Sequence, residues 1–179
     1  MKLIHGGLHC QTAFNSLKII AAPKEAPPFT ADAIVFEEDT FLVLSADNTI
    51  RESGEHIVRI MTKIIETLPI PPGQVVKKGR KPLHLLAIVH DFDCEPSWRE
   101  EWITRALDEI FVEIETRRLR TAAMPLIGTA FGSLKNQRFI YLLKKTMARM
   151  TFTHLKRLWL ITPVGSNRSI IDAFDNLAE

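Results

Sequence analysis

Apolar residues arrive along this chain in two rhythms. Short apolar runs at Ala33 to Phe36, Gln74 to Lys77, Leu83 to Val89, Thr121 to Leu126 and Leu158 to Thr162 read as buried strands. Lys2 to Ile4 and Ser16 to Ala21 add two more, parted by a Gly6-Gly7 turn and a polar stretch through Gln11 and Asn15. The other rhythm recurs at three and four residues and predicts helices. Ile57, Ile60, Met61, Ile64, Ile65 and Leu68 mark the first, which LPIPPG ends. Trp98, Trp102, Ala106, Ile110 and Ile114, widened by Ile103, Leu107 and Phe111, mark the second. Phe139, Leu142, Leu143, Met147 and Met150 mark the third, and SIIDAFDNLA supplies a terminal helix or turn. Between these elements, prolines at 23, 27 and 28 force a loop, because proline has no ladder donor. FEEDT breaks the strand that begins at Ala33, and Phe41 to Leu44 makes a further short apolar run.

Strands alternating with helices of this length predict an α/β protein: a three-layer α/β/α fold with a mixed, mostly parallel central sheet and helices on both faces. Open sheets of this kind bind ligands at the carboxyl ends of their strands. The segment Arg120 to Leu134 falls there. Its strand leads into a loop in which Gly128 and Gly132 bracket Thr129, Ala130 and Phe131, and Ser133 is placed to cap the next helix. Strand, glycine-rich loop and helix start together favour phosphate, although the same pattern also serves as a purely structural turn.

The order of elements and the residues within them resemble the macro domain family, whose members bind ADP-ribose and related nucleotides. The resemblance runs from about Asp32 to Pro163. It rests on DAIV at Asp32 to Val35, GQVV at Gly73 to Val76, AIVH at Ala87 to His90, and PLIGTAFGSL at Pro125 to Leu134. It implies that Gly128, Thr129, Ala130, Phe131, Gly132 and Ser133 form the family's second phosphate-binding loop. Two departures stand out. ADP-ribose-binding members continue DAIV with Asn-Ala-Ala-Asn, whereas this chain continues Phe36-Glu37-Glu38-Asp39. The family's first glycine-rich loop is reduced to Ser45 to Gly54, where Asp47 and Asn48 can orient a ribose hydroxyl or cap the following helix. The acid that usually meets adenine ahead of DAIV is also missing, with Glu25 the nearest candidate to stand in.

Other residues carry chemistry of their own. Glu37, Glu38 and Asp39 are clustered carboxylates that can raise one another's pKa, hold a cation or activate water, unless they form an exposed turn. His90, Asp91 and Asp93, with Cys94, present metal-ligand types at a strand end, but their spacing matches no zinc pattern, and a structural hydrogen-bonding role for His90 is favoured. Lys77, Lys78, Arg80 and Lys81 read as a solvated basic loop, and Arg117, Arg118 and Arg120 as cations complementing a helix C-terminus.

Composition narrows the setting. The chain has 179 residues, 46% hydrophobic and 25% charged, as expected of one globular domain over 1–179. Its 23 basic and 21 acidic side chains leave a formal net charge of +2, so bulk charge nominates neither membrane nor nucleic acid. No apolar leader opens the chain, and Cys10 and Cys94 lack C-x-x-C spacing, which predicts a reduced cytoplasmic protein with no disulfide framework and no cofactor. Three functions share the expected cleft. One is binding of ADP-ribose or a related nucleotide; another is hydrolysis of ADP-ribose esters or phosphoesters, with the Glu37 to Asp39 acids activating water. The third is a ligand-free interaction module whose cleft is plugged by Phe131.

Overall fold

The computed structural model describes residues 9–44 and 68–176. The strand expected at Lys2 to Ile4, its Gly6-Gly7 turn, and the helix expected from Ile57 to Ile65 lie outside the described residues. Leu68, expected to close that helix's apolar stripe, is 87% exposed and belongs to no element.

Seven strands form one sheet: β1 (Cys10–Phe14), β2 (Leu17–Ala22), β3 (Ala33–Asp39), β4 (Val75–Lys78), β5 (Leu83–His90), β6 (Thr121–Pro125) and β7 (Arg157–Ile161). Their order is β1-β2-β7-β6-β3-β5-β4. The five inner strands are parallel, while β1 and β4 pair antiparallel at the two edges. The sheet is therefore mixed and mostly parallel, as the alternating pattern predicted.

Two strands depart from the expected pattern. The stretch through Gln11 is not a polar connection but β1, which pairs with β2 across a two-residue turn. Asn15 takes φ 53° there, a left-handed conformation that asparagine tolerates better than most residues. As an edge strand β1 only half-buries every second residue, so its apolar signal is faint. The second departure is at FEED: β3 continues through Glu37, Glu38 and Asp39, which pair in register with Ala87, Ile88 and His90 of β5 across a bulge. All three acids are buried. The exposed turn is thus replaced by a buried strand end, because the carboxylates find donors inside the protein. Phe41 to Leu44 is a turn instead of a further strand. The Asp39 carboxylate accepts the N–H groups of Phe41, Val43 and Leu44 at 2.7–2.8 Å.

Three helices follow: α1 (Glu100–Thr116), α2 (Asn136–Ala148) and α3 (Asn167–Asn176). α1 buries Ile103, Ala106, Leu107, Ile110, Phe111 and Ile114, one stripe at helical spacing. Its N-cap, Arg99, makes no side-chain cap bond, so burial fastens this helix. Each large apolar side chain contributes about 1.5–3 kcal/mol. Trp98 lies outside the helix, bridged to His90, and Trp102 is only half-buried, with the Arg99 guanidinium 5.2 Å above its ring. α1 packs on β5, α3 on β1 and β2, and α2 lies between the two helices. Alternate residues of β2, β3, β5, β6 and β7 meet them in the main core. Opposite positions, Ala22, Ala123 and Trp159, form a smaller cluster with Ala31, Phe29, Ile34 and Ile161.

Side-chain clamps fix the element ends. The Asp32 carboxylate accepts from Arg120 N, Thr121 N and Thr121 Oγ1, tying the start of β3 to the start of β6. Near the end of α1, Glu115 accepts from the N–H groups of Thr153, His154 and Leu155 just before β7. Burial pushes the Glu115 carboxyl upward, but these three N–H groups outweigh it and hold the group below the usual range.

Candidate ligand site

Because the inner strands are parallel, β3, β5, β6 and β7 end at the same edge of the sheet. Beyond Pro125 the chain enters the loop that the sequence singled out. Thr129 donates both its N–H and its hydroxyl to Leu126 O, and Leu134 N donates to Gly128 O, closing the loop on itself. Gly128 has φ 81°, and a Cβ there would stand 2.7 Å from Ile103 Cδ1 of α1. A Cβ on Gly132 would meet Gly128 O at 2.5 Å and Trp98 Cδ1 at 2.9 Å. Both glycines are therefore required by close packing. Ser133 does not cap the helix: α2 starts at Asn136, its cap position is Lys135, and no side chain bonds there. The loop runs farther before it becomes helical than serine's capping preference suggested.

At the base of this loop lies a buried polar contact. Glu37 Oε1 is 2.5 Å from His90 Nε2 and accepts from Gly128 N at 3.0 Å. A carboxylate only accepts, so the hydrogen of the His90 contact belongs to Nε2. Three strand ends, β3, β5 and β6, are joined through one oxygen. His90 Nδ1 and Thr40 Oγ1, both buried, have no hydrogen-bond partner among the described residues. The His90 ring is stacked with Phe92 at 6.1 Å and meets Phe131 edge-on at 6.4 Å. Phe92 and Phe131 are 58% and 57% exposed. Two solvent-facing aromatics thus flank a buried imidazole at the mouth of the sheet. The sequence reading missed Phe92; an aromatic between two aspartates just past a strand end was the available signal.

The other expected site residues separate. Ala130, Phe131 and Ser133 are exposed and Gly132 half-buried, and the N–H groups of all four make no hydrogen bond to another described residue. Asp47 and Asn48 lie outside the described residues. Glu25 is exposed in the β2–β3 loop. Asp91 accepts from Asp93 N and from the Cys94 thiol, so the loop after β5 closes on its own carboxylate. That hydrogen bond, with burial and the Asp91 charge, holds the Cys94 thiol above its ordinary pKa and so protonated and weakly nucleophilic. Among the described residues no three His, Cys, Asp or Glu side chains converge as metal ligands, and His90, Asp91 and Asp93 do not come together. A cavity of about 440 Å³ lined by Gln137, Ser169, Asp172, Ala173 and Asn176 lies between α2 and α3 and shares no residue with the loop. No described helix is long and apolar enough to cross a membrane.

No model of a protein family matches the sequence, and no curated protein matches it. Solved structures do match the fold. The Oceanobacillus iheyensis macrodomain with ADP aligns with a TM-score of 0.66 at 13% identity, covering 93% of this chain and 94% of that one. A mutant of that macrodomain with ADPR aligns with a TM-score of 0.65 at 13% identity, covering 93% and 96%. The macrodomain of Thermus aquaticus DarG aligns with a TM-score of 0.60 at 14% identity, covering 81% and 98%. The described residues form a mixed seven-stranded sheet with three helices, and the alignments cover 81–93% of the chain, so this chain has the macrodomain fold.

Proposed function

We propose that this protein binds a nucleotide-derived ligand such as ADP-ribose at the loop Gly128 to Ser133. The observation that carries this reading is the run of four N–H groups from Ala130 to Ser133 that bond to no other described residue, at the carboxyl end of a parallel sheet beside exposed Phe131. Consecutive backbone N–H groups in a concave loop form a favourable seat for phosphate oxygens. The fold supports the same reading, since macrodomains of this architecture have been solved with ADP and with ADPR. Gly128 N–H already donates to Glu37, so the diphosphate sits on the later part of the loop. Phe131 and Phe92 offer faces for ribose or base.

Binding stands ahead of hydrolysis because the candidate acids are engaged. Glu37 serves His90 and Gly128, and Asp39 holds the turn at Phe41 to Leu44. An interaction module plugged by Phe131 fits poorly with a side chain that is 57% exposed.

Calorimetric titration with ADP-ribose tests the proposal on the wild type, Ser133→Glu and Phe131→Ala. Saturable binding is expected, lost in Ser133→Glu through charge repulsion. Phe131→Ala should weaken it roughly five- to a hundredfold, the range for one stacking contact. No heat at millimolar ligand from folded protein would overturn the reading. Both positions are exposed, so either variant should fold.

A further inference from the structure

The two short basic clusters of the sequence meet at the pole of the sheet opposite the candidate ligand site. β2, β7, β6, β3 and β5 all start at that pole, and antiparallel β4 ends there. Lys18 pairs in register with Arg157, Lys18 N donates to Lys156 O, and Lys156 N and Arg157 N donate to Arg120 O. On the other side of β3, Lys78 stands opposite His84 and leads into Arg80 and Lys81. Lys18, Lys78, Arg80, Lys81, Arg118, Arg120, Lys156 and Arg157 are all exposed, and none forms an ion pair with a described residue.

The carboxylates at this pole are committed. Asp32 and Glu115 accept backbone N–H groups, and Glu113 pairs with Lys77 and Arg117. Glu37, Glu38, Asp39, Asp91, Asp93 and Glu95 all fall at or just past the carboxyl ends of β3 and β5. Among the described residues, the acids of β3 and β5 thus lie at the ends of these strands away from the basic pole.

We propose that this basic pole binds the phosphodiester backbone of a nucleic acid. It crosses six adjacent strands, about 24 Å at the usual strand spacing, and its cations sit on strand starts and short turns instead of a floppy tail. Arginine's planar fork suits phosphate, and the Arg157 guanidinium is steadied 4.6 Å above the Phe29 ring. A membrane fits less well, because the exposed large hydrophobics, Val43, Leu68, Phe92, Val112, Phe131, Tyr141 and Val164, are all absent from the strand starts and turns that carry the cations.

The test is fluorescence anisotropy with a fluorescein-labelled 20-nucleotide single strand and its duplex, from 50 to 200 mM salt. Five phosphate contacts to a single strand give a slope of log K against log salt of about −3.5. Lys156→Gln/Arg157→Gln/Arg120→Gln should flatten that slope by about 2. Lys78→Gln/Arg80→Gln/Lys81→Gln, confined to the β4–β5 hairpin, should do the same, so the test survives if the first variant fails to fold. Excess ADP-ribose should not displace the oligonucleotide, which separates this surface from the loop site. Binding to neither probe at 50 mM salt, slopes unmoved by both variants, displacement by ADP-ribose, or capture by phosphatidylserine vesicles alone would each overturn the proposal.

Discussion

Replacing Glu37 by alanine removes the one oxygen on which two buried donors converge. His90 Nε2 at 2.5 Å and Gly128 N at 3.0 Å would lose their acceptor, and His90 is fully buried. A buried donor left unpaired costs about 1–3 kcal/mol, so two cost about 2–6 kcal/mol. At about 2–4 °C per kcal/mol for a chain of this size, Glu37→Ala should melt roughly 4–24 °C below the wild type. Glu37→Gln keeps a carbonyl oxygen that can still accept, and should lose only about 1–2 kcal/mol. The assay is urea unfolding followed by circular dichroism, with His90→Ala and the double variant completing a cycle. Coupling of at least about 1 kcal/mol is expected between residues in one hydrogen-bond network. Glu37→Ala within about 0.5 kcal/mol of the wild type, or strict additivity with His90→Ala, would refute the reasoning.

Further outcomes follow from the clamps and the loop. Glu115→Ala should cost about 1–3 kcal/mol at pH 7, by leaving three N–H groups without their acceptor. The folded-state pKa of Glu115 is lowered, so its stabilisation is present above the unfolded value of ~4.3 and is lost as pH falls through the lower folded value. The urea midpoints of wild type and Glu115→Ala should therefore converge between pH 5 and pH 2; a gap that persists or widens on acidification contradicts the clamp. Gly132→Ala forces a Cβ against the Gly128 carbonyl and Trp98, and should cost about 1–3 kcal/mol and change the near-ultraviolet dichroism of tryptophan. Gly165→Ala meets nothing within 4 Å and should cost only about 1–2 kcal/mol, through its positive φ, with an unchanged tryptophan signal.

The inner strands and the described helices were legible because their cores repeat at two clean periods. Leu83–His90 and Glu100–Thr116 emerged from apolar spacing within a residue or two. FEED was misread because three adjacent acids ordinarily mean solvent. Glu37 stays buried through partners 53 and 91 positions away, His90 and Gly128, which no local pattern reveals, whereas Asp39 accepts from the turn that follows it. The serine expected to cap α2 failed for a similar reason. Packing of Gly132 on Trp98 and the Leu134–Gly128 hydrogen bond hold the chain in a loop until Lys135. The loop itself was found because two glycines and a proline are local signals. Phe92 and the basic pole were not, since each acquires meaning only when distant strand ends are brought to one edge.

Titration of ¹⁵N-labelled protein with ADP-ribose, followed by amide chemical shifts, tests the proposed loop site most directly. Saturable shifts are expected at Ala130, Phe131, Gly132, Ser133 and Phe92, with Lys18, Arg120 and Arg157 unmoved. A well-dispersed spectrum that stays still at millimolar ADP-ribose, or that moves only away from the loop, would contradict the proposal.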